Sequence, residues 1–308
     1  MNCLVTGGAG FIGSHIVEAL LKRGDQVTIL DNLTTGNIDN LKPFADQIKF
    51  VRGDIRDQAS LDEALQNIDV VFHLAAHISV AESMLTPSDT FDINLMGTNL
   101  LFQTASKLHI QKVVLSSSAA VYGDQSVLPI KESVNLAPLS PYGSSKQMDE
   151  QLAGLFTRSF QLPVACLRYF NAYGPRQNPD SPYAAAIPIF IRKLLKGESI
   201  VIYGDGGQTR DFLYVDDIVR ANLLAAENPS SDGRIMNICG GAPITILELA
   251  RLLRTIIPGS PEVVFAPSRP GDIYHSYGDP SLARELLGFN TQVNFADGLR
   301  ATVDWMRS

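Results

Sequence analysis

A chain of 308 residues, 45% of them hydrophobic, can bury a large core, either as one extended α/β domain or as a main domain with a smaller lobe. Its net charge of -7, without any lysine or arginine run, offers no electrostatic footprint to a nucleic-acid backbone or an anionic membrane, so neither is expected as a partner. No apolar run approaches the roughly 18 residues that span a bilayer, and the first residues enter strand-like sequence without a charged leader, which reads as cytoplasmic.

Short β-branched runs at 2–5, 26–30, 49–52, 70–73, 112–115 and 163–168 read as strands, and amphipathic stretches at 11–22, 60–66, 89–108 and 142–160 read as helices between them. In the first helix Ile12, Ile16, Ala19 and Leu20 share one face. Such alternation builds right-handed βαβ units and a parallel sheet covered on both sides. Past Arg168 the pattern loosens into loops rich in Gly, Pro and Asn, with helices expected at 184–196, 215–227, 245–256, 280–287 and 295–306. A second lobe is expected there, dividing the chain into 1–170 and 171–308, with some later segments returning to the first part. Thr245 and Glu248 fit a capping box. Cys3, Cys166 and Cys239 lie far apart in apolar settings and read as buried reduced thiols, and the five histidines show no metal-ligand spacing.

The first strand runs directly into Thr6-Gly7-Gly8-Ala9-Gly10-Phe11-Ile12-Gly13, which opens a helix. Glycine lets the backbone turn tightly and approach a pyrophosphate, and the helix N-terminus offers free amides and a partial positive charge. Gly7, Gly10 and Gly13 are the expected cradle, although GxxGxxG departs from the GxGxxG fingerprint and is weak alone. Asp31 at the end of the second strand is placed to accept ribose hydroxyls and repel a 2′-phosphate, which favours NAD over NADP. Asp54, after the third strand, reads either as an adenine contact or as an ordinary turn or capping aspartate. The fold class is therefore α/β, a Rossmann-type doubly wound parallel sheet with a smaller mixed α/β lobe.

Two further segments suggest chemistry: Ser116-Ser117-Ser118-Ala119-Ala120 at the end of the fifth strand, and Tyr142-Gly143-Ser144-Ser145-Lys146 at a helix start. Residues four apart on a helix face the same way, so Tyr142 and Lys146 project together. Oxidising a sugar alcohol requires a base, and an ordinary phenol, with a pKa of about 10, is mostly protonated at neutral pH. A neighbouring ammonium and a nicotinamide cation stabilise the phenolate, and Ser118 can donate to the same sugar oxygen.

In these motifs, together with Asp31-Asn32-Leu33, Gly53-Asp54-Ile55, His73-Leu74-Ala75-Ala76, Arg168-Tyr169-Phe170-Asn171, Arg210-Asp211 and Arg269-Pro270-Gly271-Asp272, the chain resembles the extended short-chain dehydrogenase/reductase family along its whole length. Within that family it is similar to the UDP-galactose 4-epimerases and their UDP-N-acetylhexosamine relatives. The resemblance implies a catalytic triad of Ser118, Tyr142 and Lys146, and epimerisation through a transient 4-ketone with NAD as cofactor. It implies cofactor contacts at Gly7, Gly10, Phe11, Ile12, Gly13, Asp31, Asn32, Asp54, Ile55, Leu74, Ala75, Ala76, Asn94, Ser116, Tyr142, Lys146 and Tyr169. A lysine found near the Ala75-Ala76 loop in one branch is Ile78 here, so that contact is not carried over.

For the UDP-sugar the resemblance implies Ser118, Tyr142, Asn171, Arg210, Arg269, Asp272 and Ser276, the arginines holding the diphosphate as guanidinium groups do. A family asparagine that opens the next helix is replaced by Ala185. Ser276 stands where a large aromatic narrows the sugar pocket in some relatives, so N-acetylated UDP-hexoses are expected to fit, unless Ser276 is only a turn residue. Sister enzymes that dehydrate or decarboxylate use acidic groups beside the serine, where this chain has Ala119 and Ala120. UDP-glucuronate 4-epimerase or decarboxylase activity remains an alternative, and a non-catalytic NAD-binding protein a more distant one. Helices 89–108 and 142–160 either pair with their copies in a homodimeric four-helix bundle, as in relatives, or only cover the sheet.

Overall fold

The computed structural model describes residues 1–179, 185–268 and 273–308. Its first part alternates strand and helix: β1 (Asn2–Thr6), α1 (Phe11–Arg23), β2 (Gln26–Asp31), β3 (Ile48–Arg52), α2 (Gln58–Ala64), β4 (Val70–His73), α3 (Val80–Leu85), α4 (Pro87–Phe91), α5 (Gly97–Lys107), β5 (Lys112–Ser118), α6 (Pro141–Ser159) and β6 (Val164–Tyr169). There follow β7 (Asn171–Tyr173), α7 (Ala186–Leu195), β8 (Val201–Tyr203), β9 (Thr209–Arg210), β10 (Phe212–Tyr214), α8 (Val215–Glu227), β11 (Ile235–Ile238), β12 (Ile244–Thr245), α9 (Ile246–Ile256), β13 (Val264–Ala266), β14 (His275–Ser276), α10 (Ser281–Leu287) and α11 (Phe295–Arg307).

The main sheet has seven strands in the order β11-β6-β5-β4-β1-β2-β3, every pair parallel. Cys3, Leu4 and Val5 in β1 are all wholly buried, as a strand covered on both faces requires. Alternate residues feed opposite layers: Cys3 and Val5 pack with Ile16 and Leu20 of α1 and Ile218 of α8, while Leu4 packs with Leu61 of α2, Phe102 of α5 and Phe156 of α6. The strand order reverses between β1 and β4, and ligands bind such sheets in the crevice beyond the carboxyl ends at that switch point. Both sequence segments that end there, Gly7 onward and Leu74 onward, belong to the expected cofactor site.

The smaller sheets lie in the second half of the chain, and Ile187, Ile191, Leu249, Leu253, Leu299 and Val303 from α7, α9 and α11 share one core there. Thr245 and Glu248 form the expected capping box, Thr245 Oγ1 accepting from Glu248 N at 3.0 Å while Glu248 Oε2 accepts from Thr245 N at 2.9 Å. Cys3, Cys166 and Cys239 are each buried.

The structure corrects the sequence reading in several places. The helix expected at 89–108 begins earlier as α4 and widens into a π-helical turn at Asp92–Met96 before continuing as α5. The strand β11, the helix α3 and a 3-10 stretch at Ile38–Gln47 were not expected. Residue 184, where the next helix was expected to start, lies outside the described residues, and α7 starts at Ala186. No described helix is long and apolar enough to cross a membrane.

Candidate active site

Gly7 adopts φ +69, a left-handed conformation that favours glycine. A Cβ there would stand 2.8 Å from Ala75 N, and one on Gly13 would stand 2.2 Å from Gly7 O. Only bare backbone therefore lets β1, the loop after β4 and the first turn of α1 approach one another. Thr6 Oγ1 completes the junction, accepting from Leu74 N and Ala75 N, both at 3.2 Å. This cradle, opening at the N-terminus of α1, fits the pyrophosphate of a dinucleotide. Phe11 and Ile12 pack against the cluster shared by α7, α9 and α11, and Ile12 also against the core of the main sheet.

Asp31 ends β2 with its carboxylate held by Ala9 N at 2.9 Å and Leu33 N at 2.8 Å. Burial pushes its pKa up, and these two amides pull it back. Asp31 thus ties the glycine loop to the strand end where a ribose would meet it. Asn32 Nδ2 donates to Asp54 Oδ2 at 2.9 Å, and Arg56 grips both oxygens of Asp54, also at 2.9 Å. Hydrogen bonds from Arg56 hold Asp54 down to about 2. Asp54 Oδ1 also accepts from Arg56 N two residues on, so the turn role expected for it is present in the geometry. Ile55 is buried, its side chain closed against Gly97.

The N-terminus of α6 is fixed by Ser140, whose Oγ accepts from Gly143 N at 3.1 Å, and by Pro141 in the first turn. Tyr142 and Lys146 follow on that helix, Tyr142 half-buried and Lys146 buried. A Cβ on Gly143 would stand 2.6 Å from Ala120 O, so the start of α6 lies directly against the turn after β5. Ser118 ends β5 and accepts from Ala120 N at 3.1 Å, which caps that turn and leaves the hydroxyl proton free of it. Ser116 lies buried in the same strand, and Ser117 donates to Glu150 on α6 at 2.6 Å. Serine, tyrosine and lysine are thus gathered by two elements that touch.

Asn94 occupies the π-helical turn and is wholly buried. It accepts from His77 N at 2.7 Å and donates to His77 O at 3.1 Å and Ser145 Oγ at 2.8 Å. Its amide is spent on protein, and it holds the loop beyond Ala76 against α6. The Tyr169 hydroxyl donates to Asn222 Oδ1 at 2.9 Å inside the core, so a cofactor contact there would use its backbone. Asn171 donates through N and Nδ2 to Asp211 O, at 3.0 and 3.1 Å.

Arg210 lies in β9, the middle strand of a three-stranded sheet, directly beside Ser276 of β14. Its Nη1 donates to Thr209 O at 2.9 Å. Arg269 and Asp272 lie outside the described residues.

Several groups escaped the sequence reading. Asp211 is wholly buried and accepts from Gly240 N at 2.8 Å and Gly241 N at 2.9 Å, so it pins the loop after β11 beside β9; burial raises it to about 6. Arg168 and Glu150 form a buried bidentate pair, both contacts 2.7 Å. His73 lies between Thr6 Oγ1 at 2.7 Å and Thr98 Oγ1 at 2.9 Å, and burial, with the charge of Lys146, lowers it to about 3. Asp149 lies beneath Lys146. The inward stripe of α6, at 142, 146, 149, 150 and 153, was the available signal for the two acids.

The chain matches the NAD dependent epimerase/dehydratase family over residues 3–239. It is 42% identical over 308 residues to a putative UDP-glucose 4-epimerase of Methanocaldococcus jannaschii, covering 99% of this chain and 98% of that protein. Among solved structures it is similar to a UDP-N-acetylglucosamine 4-epimerase from Methanobrevibacter ruminantium, in complex with UDP-N-acetylmuramic acid, at 42% identity and a TM-score of 0.95, with 99% and 98% of the two chains covered. It is likewise similar to a UDP-glucose 4-epimerase from Thermotoga maritima with UDP-glucose, at 39% identity and a TM-score of 0.94, with 100% and 99% covered. The strand order, the glycine cradle and these whole-length similarities agree, and the chain belongs to the NAD dependent epimerase/dehydratase family.

Proposed function

We propose that the protein is an NAD-dependent 4-epimerase of UDP-hexoses, interconverting UDP-glucose and UDP-galactose and accepting their N-acetylated counterparts. The observation that supports this most is the placing of Tyr142 and Lys146 on the capped start of α6, against the turn that follows Ser118. In this reading residues 1–170 mainly hold the cofactor and 171–308 mainly hold the sugar nucleotide. Gly7, Gly10, Gly13 and Asp31 would hold NAD at its pyrophosphate and ribose, and Lys146 at the nicotinamide end. NAD, when bound, supplies the acceptor and donor of hydride at C4.

The chain's own part is proton handling and positioning. Tyr142 takes the proton from O4 as a 4-ketone forms and returns it when the alcohol is restored. Lys146 stabilises the phenolate, and Ser118 donates a hydrogen bond to the same oxygen. Arg210 and Arg269 hold the diphosphate, Asp272 the uridine ribose, and Asn171 the diphosphate or the sugar, while the sugar presents its opposite face. The overall reaction is an isomerisation without net redox change. Ala119 and Ala120 exchange no protons, which disfavours dehydration and decarboxylation.

A homodimer fits this reading: Met96, Met148 and Leu155, beside and along α5 and α6, are exposed apolar residues suited to a four-helix bundle. The cytoplasm is the proposed compartment. Incubating purified protein with UDP-glucose, UDP-N-acetylglucosamine and UDP-glucuronate and resolving the products tests the proposal. Formation of the C4 epimers of the first two is expected; a decarboxylated or deoxygenated product, or epimerisation of UDP-glucuronate alone, overturns it.

A further inference from the structure

Two adjacent acids on α6 are buried, and they are treated differently. Glu150 accepts from Ser117 and from both ends of the Arg168 fork, so its charge is fully answered. Asp149 is 0% exposed, and among the described residues neither of its oxygens has a hydrogen-bond partner in good geometry, the Thr98 hydroxyl and the Lys146 ammonium lying only near enough to favour its charged form. The cation paired with it among the described residues is Lys146, whose Nζ lies 3.6 Å from Asp149 Oδ2, beyond hydrogen-bond length. A buried carboxyl without hydrogen bonds is destabilising, and an apolar side chain of the same size would fill the place at lower cost. The position therefore does something that packing does not require.

We propose that Asp149 is a positioning residue for the proposed reaction: it holds the Lys146 ammonium from beneath and cancels part of the charge that the lysine presents to Tyr142. The proposal rests on the 4-epimerase reading, in which Tyr142 is the base and Lys146 its cationic neighbour. The geometry is a line along one helix face, Tyr142 to Lys146 to Asp149, each step one turn. A negative charge at the far end weakens the field that favours the phenolate at the near end.

The surrounding groups make Asp149 the adjustable member. Glu150 from its own helix opposes its ionisation, while Lys146 and the Thr98 hydroxyl from α5 favour it. Cys166 of β6 feels both acids, Arg168 of β6 is committed to Glu150, and His73 at the end of β4 feels Lys146. Burial lowers His73 to about 3 and raises Cys166 well above the usual thiol range, so neither changes charge near neutrality. Burial raises Asp149 to about 7, against the pull of Lys146. As pH falls through that region Asp149 takes a proton, the field of Lys146 is no longer offset, and the phenolate is favoured when bulk conditions disfavour it. The device broadens the pH range over which the base works.

The test compares wild type with Asp149→Asn, which keeps shape and removes charge, and with Asp149→Ala should the first variant not fold. Using holoenzyme and UDP-glucose, kcat/KM is followed from acid to neutral pH. The two profiles are expected to converge at acid pH, where Asp149 is already protonated, and to separate toward and above neutrality, where the variant's rising limb lies at lower pH by up to about one unit and is steeper, with KM changed by no more than about twofold. A second readout needs no turnover: the ultraviolet titration of phenolate, taken as the difference between each protein and its Tyr142→Phe derivative, is expected to show Tyr142 ionising at lower pH when Asp149 is replaced. Superimposable titrations overturn the proposal. A wild type that ionises as expected yet converts no sugar nucleotide overturns the 4-epimerase reading instead and leaves the charge coupling standing.

Discussion

Asn94 Nδ2 donates to Ser145 Oγ at 2.8 Å, and Ser145 Oγ in turn donates to Tyr142 O at 2.8 Å. A residue in the π-helical turn between α4 and α5 is thereby wired to the backbone of the proposed base, and through His77 to the loop beyond β4. Wide helical turns recur at functional sites because they re-aim a side chain that a regular helix would point elsewhere.

Replacing Asn94 with alanine leaves the partly buried His77 N and His77 O and the buried Ser145 Oγ without this partner. Thermal unfolding is expected to show a loss of about 2–3 kcal/mol. Turnover is expected to fall by about tenfold to a hundredfold because Tyr142 is less well placed. Unchanged unfolding and turnover would show that the bridge is unimportant.

Gly13→Ala puts a methyl group 2.2 Å from Gly7 O, too close to be relieved by a side-chain movement. The loop must shift, at a cost of about 1–3 kcal/mol. NAD content of the purified protein is expected to drop to a small fraction of the wild-type value, which extraction and absorbance measure directly. Full cofactor content in this variant would mean that the cradle lies elsewhere.

Ser276 is paired in register with Arg210 across the small sheet, so its side chain stands one strand away from the arginine proposed to hold the diphosphate. Ser276→Tyr is expected to lower kcat/KM for UDP-N-acetylglucosamine by about tenfold or more while sparing UDP-galactose. Equal losses on both substrates would assign Ser276 to the turn alone.

Much of this was legible in the sequence, for identifiable reasons. A parallel strand buried on both faces is a short apolar run between turns, and each of the six expected runs overlaps a strand of the main sheet. β11 escaped because Asn237 interrupts its apolar run; Asn237 is buried there with partners distant in sequence, its side chain donating to Ile130 O at 2.9 Å and accepting from the Tyr122 hydroxyl. The Tyr142 and Lys146 spacing was visible because helical period alone sets it. Asp149 lies on the same inward stripe but was passed over, since an aspartate three residues beyond a lysine looks the same on a solvated face, and its burial depends on how α6 docks. Asp211 was hidden in the same way: its partners Gly240 and Gly241 come from a loop that only the tertiary fold brings near.

The central claim is that the phenol of Tyr142 moves the proton of the sugar alcohol. Its most direct test is turnover of UDP-glucose by Tyr142→Phe, with NAD content and unfolding temperature measured on the same sample. The account predicts a folded, NAD-containing protein whose kcat is lower by about 10²- to 10⁴-fold. Wild-type kcat in that variant would contradict it.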